Sequence, residues 1–438
     1  MKNTFLTIVS LAIAATVGIA QGTGSAGQSR PASPMNDVAE RYVKLVLALG
    51  QHDADYVDAY YGPSEWKQQA DSGKIPLADL AAQAKTLLGA IDAVPEPAAE
   101  MERLRRHYLQ QQLSAVAARI RMLTGQRLSF DEESRALYDA VAPTLPESHF
   151  QKILDQLGKE FPGDGPLLAR YEKFRSGFVV PREKLDAVFQ AAIKGCRERT
   201  LQHVKLPESE RFTVEYVTNK SWSGYNWYQG NFRSLIQVNT DLPVYIDRAV
   251  DLACHEGYPG HHVYNALLEQ HLVSGRGWVE FSVYPLFSPQ SLIAEGTANY
   301  GIEMAFPGPA RTAFEKTVLF PSAGLDPARA DEYYRVQGFV DQLAYAGNEA
   351  ARRYLNGQID RAAAAAWLER YALMSRDRAA QRVRFFDQYR SYVINYNLGK
   401  DLVRRFIERQ AGAGASQARR WSEFEKLLSS PRLPSTLQ

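Results

Sequence analysis

Cysteine is scarce in this chain of 438 residues: Cys196 and Cys254 are the only two, too few for a disulfide framework. Two buried free thiols are expected, with a single bridge in an oxidising compartment as the alternative. An excess of charge of either sign is also lacking. Lys plus Arg (51) nearly balances Asp plus Glu (49), and no long run of either sign occurs, so no nucleic-acid partner is expected. Beyond the first twenty residues no apolar stretch approaches the length of a spanning helix, and no stable membrane span is expected. Neither an internal repeat nor, past residue 35, a low-complexity block is found.

What is present describes a folded body behind an address. Lys2 precedes an apolar run from Phe5 to Ile19, with small residues at Gly18 and Ala20, which reads as a signal peptide over residues 1–20. No cysteine follows it for lipidation, so the mature chain is expected to be exported, periplasmic or secreted. Residues 21–35, rich in Gly, Ser, Ala and Pro, have too few apolar groups to offset ordering entropy and should be a disordered leader. The chain as a whole is 45% hydrophobic and 23% charged, with 23 Tyr, 19 Phe and 6 Trp, in the range of a globular protein.

From Val38 to Leu206 apolar residues recur at three- and four-residue steps, as in RYVKLVLALG, LADLAAQAKTLLGAI and RLRRHYLQQQLSAVAARIRMLTG, predicting amphipathic helices. Pro63, Pro76, Pro143, Pro146, Pro162, Pro166 and Pro181 should mark loops or helix starts. The period changes to two in FTVEYV (212–217) and SLIQVN (234–239), which predict two strands. The WSGYNWYQGN segment between them reads as a loop, either a hairpin tip packed on a neighbour or a substrate-facing surface. Helical periodicity returns after Pro243 and runs through RAAAAAWLERYALMS and VRRFIERQA. The expected fold is mainly α, a large helical body with a small sheet beside the metal-site helices. A helical part over residues 36–206 should pack with a metal-binding catalytic part over residues 207–438 as one domain.

Three of the eight histidines fall in DLACHEGYPGHHVYNALLEQ: His255, His261 and His262, with Glu256 after the first. A catalytic zinc takes neutral imidazoles and carboxylates and keeps one position open. In a His-Glu-x-x-His helix the four-residue step puts both imidazoles on one face and the Glu handles protons. Here the step is longer. On an unbroken helix His262, seven residues on, would return to the face of His255. Pro259, however, clashes with the His255 carbonyl and leaves it unbonded, so the helix must kink or bulge there. Gly260 can absorb the extra residues, which favours His261 over His262. Glu295, in the otherwise apolar segment LIAEGTANYGIEMAF, is the candidate third ligand. Asn299 and Glu303, one and two turns further, could support a ligand from the same face.

These stretches resemble a bacterial family of zinc-metallopeptidase-like proteins catalogued as domain of unknown function 885. HEGYPGHH (255–262), AEGTANY (294–300) and YNLGKDLVRR (396–405) match its motifs in order and spacing. The resemblance implies a gluzincin-like peptidase in which His255, His261 and Glu295 hold Zn2+ and Glu256 is the general base. Tyr396, by its place in the third motif, becomes the candidate oxyanion donor, with Tyr345 a weaker one.

The expected activity is hydrolysis of a peptide or small amide, with zinc-activated water as nucleophile and Glu256 as base. Gln237 and Asn239 are candidate substrate-binding residues, if the SLIQVN strand pairs with an extended peptide. Two alternatives remain: an amidase or esterase acting on non-peptide substrates, and an exported binding protein without catalysis.

Overall fold

In a computed structural model of the chain, the described residues are 34–438. The expected signal peptide and residues 21–33 of the expected leader lie outside them. Pro34 and Met35, which close that leader segment, already belong to the first helix, Pro34–Gly50, and Met35 is buried. This helix turns Val38, Ala39, Tyr42, Val43, Val46 and Leu49 inward, the three- and four-residue rhythm of a helix with one buried stripe.

Over the described residues the molecule is mainly helical with two small sheets. Proline sets several helix starts, because its missing N–H is no loss in the first turn. Pro63, Pro76, Pro146 and Pro166 each stand immediately before a helix, at Ser64–Ser72, Leu77–Asp92, Glu147–Glu160 and Leu167–Ser176. Pro181 opens the short 3-10 turn Arg182–Lys184. Elsewhere side chains cap: Ser129 and Glu132 form a capping box, and Asp360 accepts from the Ala363 amide, satisfying amides the helix leaves free.

The larger sheet has three strands, β2 (Arg211–Val217), β3 (Gly224–Gly230) and β4 (Arg233–Asn239), in the order β2-β4-β3. β4 is central, parallel to β2 and antiparallel to β3. Both strands read from the period-two pattern are present. The segment between them is not a loop but a third strand, with the turn confined to Asn231 and Phe232 in left-handed backbone. Its aromatics alternate across the strand, Tyr228 buried and Trp227 exposed. A second sheet pairs β1 (Val57–Tyr60) with β5 (Val283–Pro285). Both strands are too short to impose a recognisable period on the sequence.

Residues Pro34–Gln438 form one compact unit. Among the described residues no helix is long and apolar enough to cross a membrane. Cys196, on the helix Leu185–Leu201, and Cys254 form a disulfide with their Cα atoms 5.6 Å apart. The expectation of two free thiols is therefore corrected: both side chains point into the same buried seam, where the two helical segments pack.

Two helices cross very closely. Gly296, on the helix Pro289–Ala305, lies against Gly399 on the helix Ile394–Ala411. A Cβ on Gly296 would sit 2.5 Å from the Gly399 carbonyl, and one on Gly399 would sit 2.7 Å from the Leu292 carbonyl oxygen. Only glycine permits this approach, and it sets Glu295 beside the tyrosines that precede Gly399.

Candidate metal centre

The helix carrying His255 runs over Asp247–Leu252 and widens into a π-turn at Ala253–Gly257. It then stops. Tyr258–Pro259 is a cis peptide bond, and a new helix starts at His261 (His261–Leu268). The deformation expected at the Pro-Gly step is thus a full break between two helices and not a bulge within one. Gly260 folds back on the first of them: its amide donates to the Cys254 carbonyl at 2.9 Å, and a Cβ there would fall 1.8 Å from the His255 carbonyl oxygen. No other residue fits that contact.

The break turns His261, the first residue of the new helix, back toward His255. Their Nε2 atoms are 3.2 Å apart. Glu295 Oε2 lies 3.2 Å from His255 Nε2 and 3.7 Å from His261 Nε2. That oxygen is buried without a hydrogen-bond donor. Three potential ligand atoms thus lie within 4.8 Å of one another. Bonds of about 2.0–2.1 Å in a tetrahedral site place neighbouring ligand atoms roughly 3.3 Å apart, so the trio fits a single small cation such as zinc.

His262, the alternative ligand, points away. It is fully buried, its Nε2 2.9 Å from Glu210 Oε2 and its Nδ1 2.9 Å from Ser234 Oγ. Seven residues would return it to the His255 face only on a continuous helix, and the helix is not continuous.

Glu256 is buried but turns its carboxyl to a cavity of about 1000 Å³ that also exposes His255, His261, Glu295 and Tyr396. Asn226 of β3 donates to its backbone carbonyl at 2.7 Å. Burial pushes the Glu256 carboxyl above its ordinary range, with Glu295 adding to the rise while His255 and His261 oppose it. Burial likewise opposes the charge on Glu295, but the two imidazoles outweigh it and hold this carboxyl well below the usual range. For His261, burial works against protonation, yet Glu295, Glu256 and Asp58 carry the imidazole up to about 9. Asp58, on β1, is pushed up to about 7, chiefly by burial. Strongly perturbed groups in one cleft are a mark of functional sites.

Tyr396 stands beside His255, ring centroids 6.4 Å apart with the planes within 28°. Tyr392, one turn earlier, was not a sequence candidate, yet its hydroxyl donates to Glu295 Oε1 at 2.8 Å. It supports the carboxylate in the place considered for Asn299 and Glu303. Asn299 reaches only backbone carbonyls, of Glu295 at 3.0 Å and Tyr396 at 3.4 Å. Glu303 instead pairs with Lys400 and Arg404. Tyr345 donates to Asp401 at 2.6 Å and lies outside the cavity.

Gln237 and Asn239 do not line the cavity that holds His255, His261 and Glu295. They belong to β4, whose two edges are both occupied, so the strand offers no free backbone. Gln237 joins Trp227 and Glu215, and Asn239 donates to the Lys220 and Trp222 carbonyls. The outer strand at the cavity is β3, through Gly224, Tyr225 and Asn226. Sequence alone also gave no sign of Asp58, which accepts from the Tyr225 hydroxyl; a lone Asp in a four-residue strand carries no motif.

No family profile and no curated relative match this chain. Among solved structures it is similar to a candidate lipoprotein from Colwellia psychrerythraea, at 14% identity and a TM-score of 0.49, covering 92% of this chain and 74% of that one. A candidate lipoprotein of unknown function from Shewanella oneidensis gives 14% identity and a TM-score of 0.47, covering 85% of this chain and 74% of the other. Both likenesses are weak.

Proposed function

We propose that the chain is an exported metal-dependent hydrolase, a zinc peptidase, with His255, His261 and Glu295 as metal ligands. The observation that carries the reading is the mutual spacing of the three potential ligand atoms, 3.2, 3.2 and 3.7 Å. When bound there, zinc would supply a Lewis acid that polarises a carbonyl and acidifies water. Glu256 follows His255 directly and lines the same cavity, where its carboxyl can take and give a proton. It would accept the proton of the attacking water and deliver it to the leaving nitrogen. Tyr396, beside His255, is the proposed hydroxyl donor to the oxygen on which negative charge develops. Tyr392 would hold the distal oxygen of Glu295, fixing which oxygen faces the metal. An extended substrate would lie along β3, the outer strand at the cavity, and not along β4. The disulfide fits the oxidising compartment that export implies.

The test is Glu256→Gln in zinc-loaded protein, assayed on a diverse peptide library beside simple esters and amides. Peptide turnover should fall by about 10³-fold while the variant retains one metal per chain, in the range for loss of a general base. Hydrolysis of esters or small amides alone would move the assignment to an amidase or esterase. No turnover by the parent chain on any of them would leave a binding protein.

A further inference from the structure

Some of the cations that line the cavity are held in ion pairs and some are not. Of the cations on its wall, Arg248 pairs with Asp251 at 3.0 Å, Arg311 with Asp251 and Glu315 at 2.8 Å each, and Lys400 with Glu303 at 2.7 Å. Arg378 and Arg382 differ. They sit one turn apart on the helix Arg376–Tyr389, so both face the cavity from one side. Arg378 spends one N–H on the Pro243 carbonyl at 2.7 Å and forms no ion pair among the described residues. Arg382 forms none either, and its Nε is buried with no hydrogen-bond partner. Arg420 is also unpaired, but it lies near Tyr300 on another wall.

Arg382 is held in place by rings. Its guanidinium carbon is 4.5 Å from the centroid of Phe385, 5.7 Å from that of Phe386 and 5.6 Å from that of Tyr396. Cation–π contact fixes its position, yet rings accept no N–H bonds in the guanidinium plane, and a partly buried charge without a hydrogen-bonded counter-ion is costly. The planar fork of donors matches one ligand above others, a carboxylate held by two parallel bonds. Tyr396 is the common neighbour, in contact with Arg382 on one side and stacked near His255 on the other. The span from the metal centre to the guanidinium is therefore short, a few residues of extended chain at about 3.5 Å each.

We infer that Arg382, assisted by Arg378, receives the C-terminal carboxylate of a short peptide, so that the centre removes residues from a chain end instead of cutting internally. The inference deepens the peptidase reading and rests on it for the cutting, whereas the carboxylate site can be tested by binding alone.

The experiment uses zinc-loaded Glu256→Gln protein and two probes, acetyl-tetra-alanine with a free carboxylate and the same peptide as its C-terminal amide, titrated by calorimetry. The free acid should bind at least about tenfold tighter, the least expected of a charge-assisted pair. Adding Arg382→Gln should erase that difference while leaving amide binding unchanged, and Arg382→Lys should restore part of it. Equal affinity for the two probes, including no binding of either at millimolar concentration, overturns the inference. So does an Arg382→Gln effect of equal size on both, which would mark a packing role. A kinetic comparison with the parent chain separates the two readings. Hydrolysis of acid and amide at the same kcat/KM would leave the peptidase standing without this site, whereas acid-selective binding with no hydrolysis would leave the site without the peptidase.

Discussion

His261 and His262 are neighbours whose replacement should have opposite signatures. His261→Ala removes a donor from the proposed centre and should release the metal with little change in the melting temperature of the metal-free protein. His262→Ala should keep the metal yet lower that temperature, because it leaves the buried Ser234 hydroxyl without its partner and takes one of three side-chain bonds from Glu210. Orphaning a buried polar group costs about 1–3 kcal/mol. Metal content and thermal unfolding of the two variants would check this, and equal metal loss in both would contradict the ligand assignment. Glu210 also implies a pH dependence. Burial opposes its charge, but bonds from His262, Tyr258 and Arg197 win and bring its pKa down from 4.5 to about 2. Its folded-state pKa is depressed, so its stabilisation is complete above pH 4.5 and is lost as pH falls from there to about 2. Urea unfolding across that window should show a steeper decline for the parent chain than for Glu210→Gln; parallel curves would contradict it.

At the scale of elements, the close crossing of the Glu295 helix on the helix that begins at Ile394 depends on two glycines. Gly296→Ala would drive its Cβ into the Gly399 carbonyl at 2.5 Å, and backbone cannot retreat as a side-chain tip can. We expect a loss of about 1–3 kcal/mol in unfolding free energy, the usual cost of overpacking. Weaker metal retention should accompany it, since Glu295 is the adjacent residue; unchanged stability and metal content would show the crossing to be pliable. This level of organisation was only partly legible in the sequence. Helices with one buried stripe, and strands that alternate over six residues, announce themselves through local periodicity. HEGYPGHH was legible because the chemistry of proline and glycine at 259 and 260 is local, and it favoured His261 before any fold was known. Tyr392 and Asp58 were not legible, because their partners lie 97 and 167 residues away, and Glu210 and Arg382 were not, because tertiary packing decides what surrounds them. β3 was missed because its glycines and aromatics read as a loop, although the pairing with β4 overrides that preference. Cys196 and Cys254 carried no pairing signal, since whether two thiols meet is decided by tertiary packing.

Across the whole molecule, the disulfide joins a helix of the N-terminal half to the segment carrying His255. Its loop spans 58 residues, for which chain entropy assigns about 4 kcal/mol of stabilisation. Thermal unfolding with and without dithiothreitol, and of Cys196→Ser, should therefore show a lower melting temperature whenever the bond is absent; no change would mean that packing alone holds the seam. The break at Tyr258–Gly260 has a wider implication. Because His255 and His261 end and begin different helices, and Glu295 comes from a third, affinity for the proposed ion would belong to the assembled body. An excised fragment covering residues 247–268 would grip metal weakly, and each transient undocking of the Glu295 helix would open a route for the ion to escape.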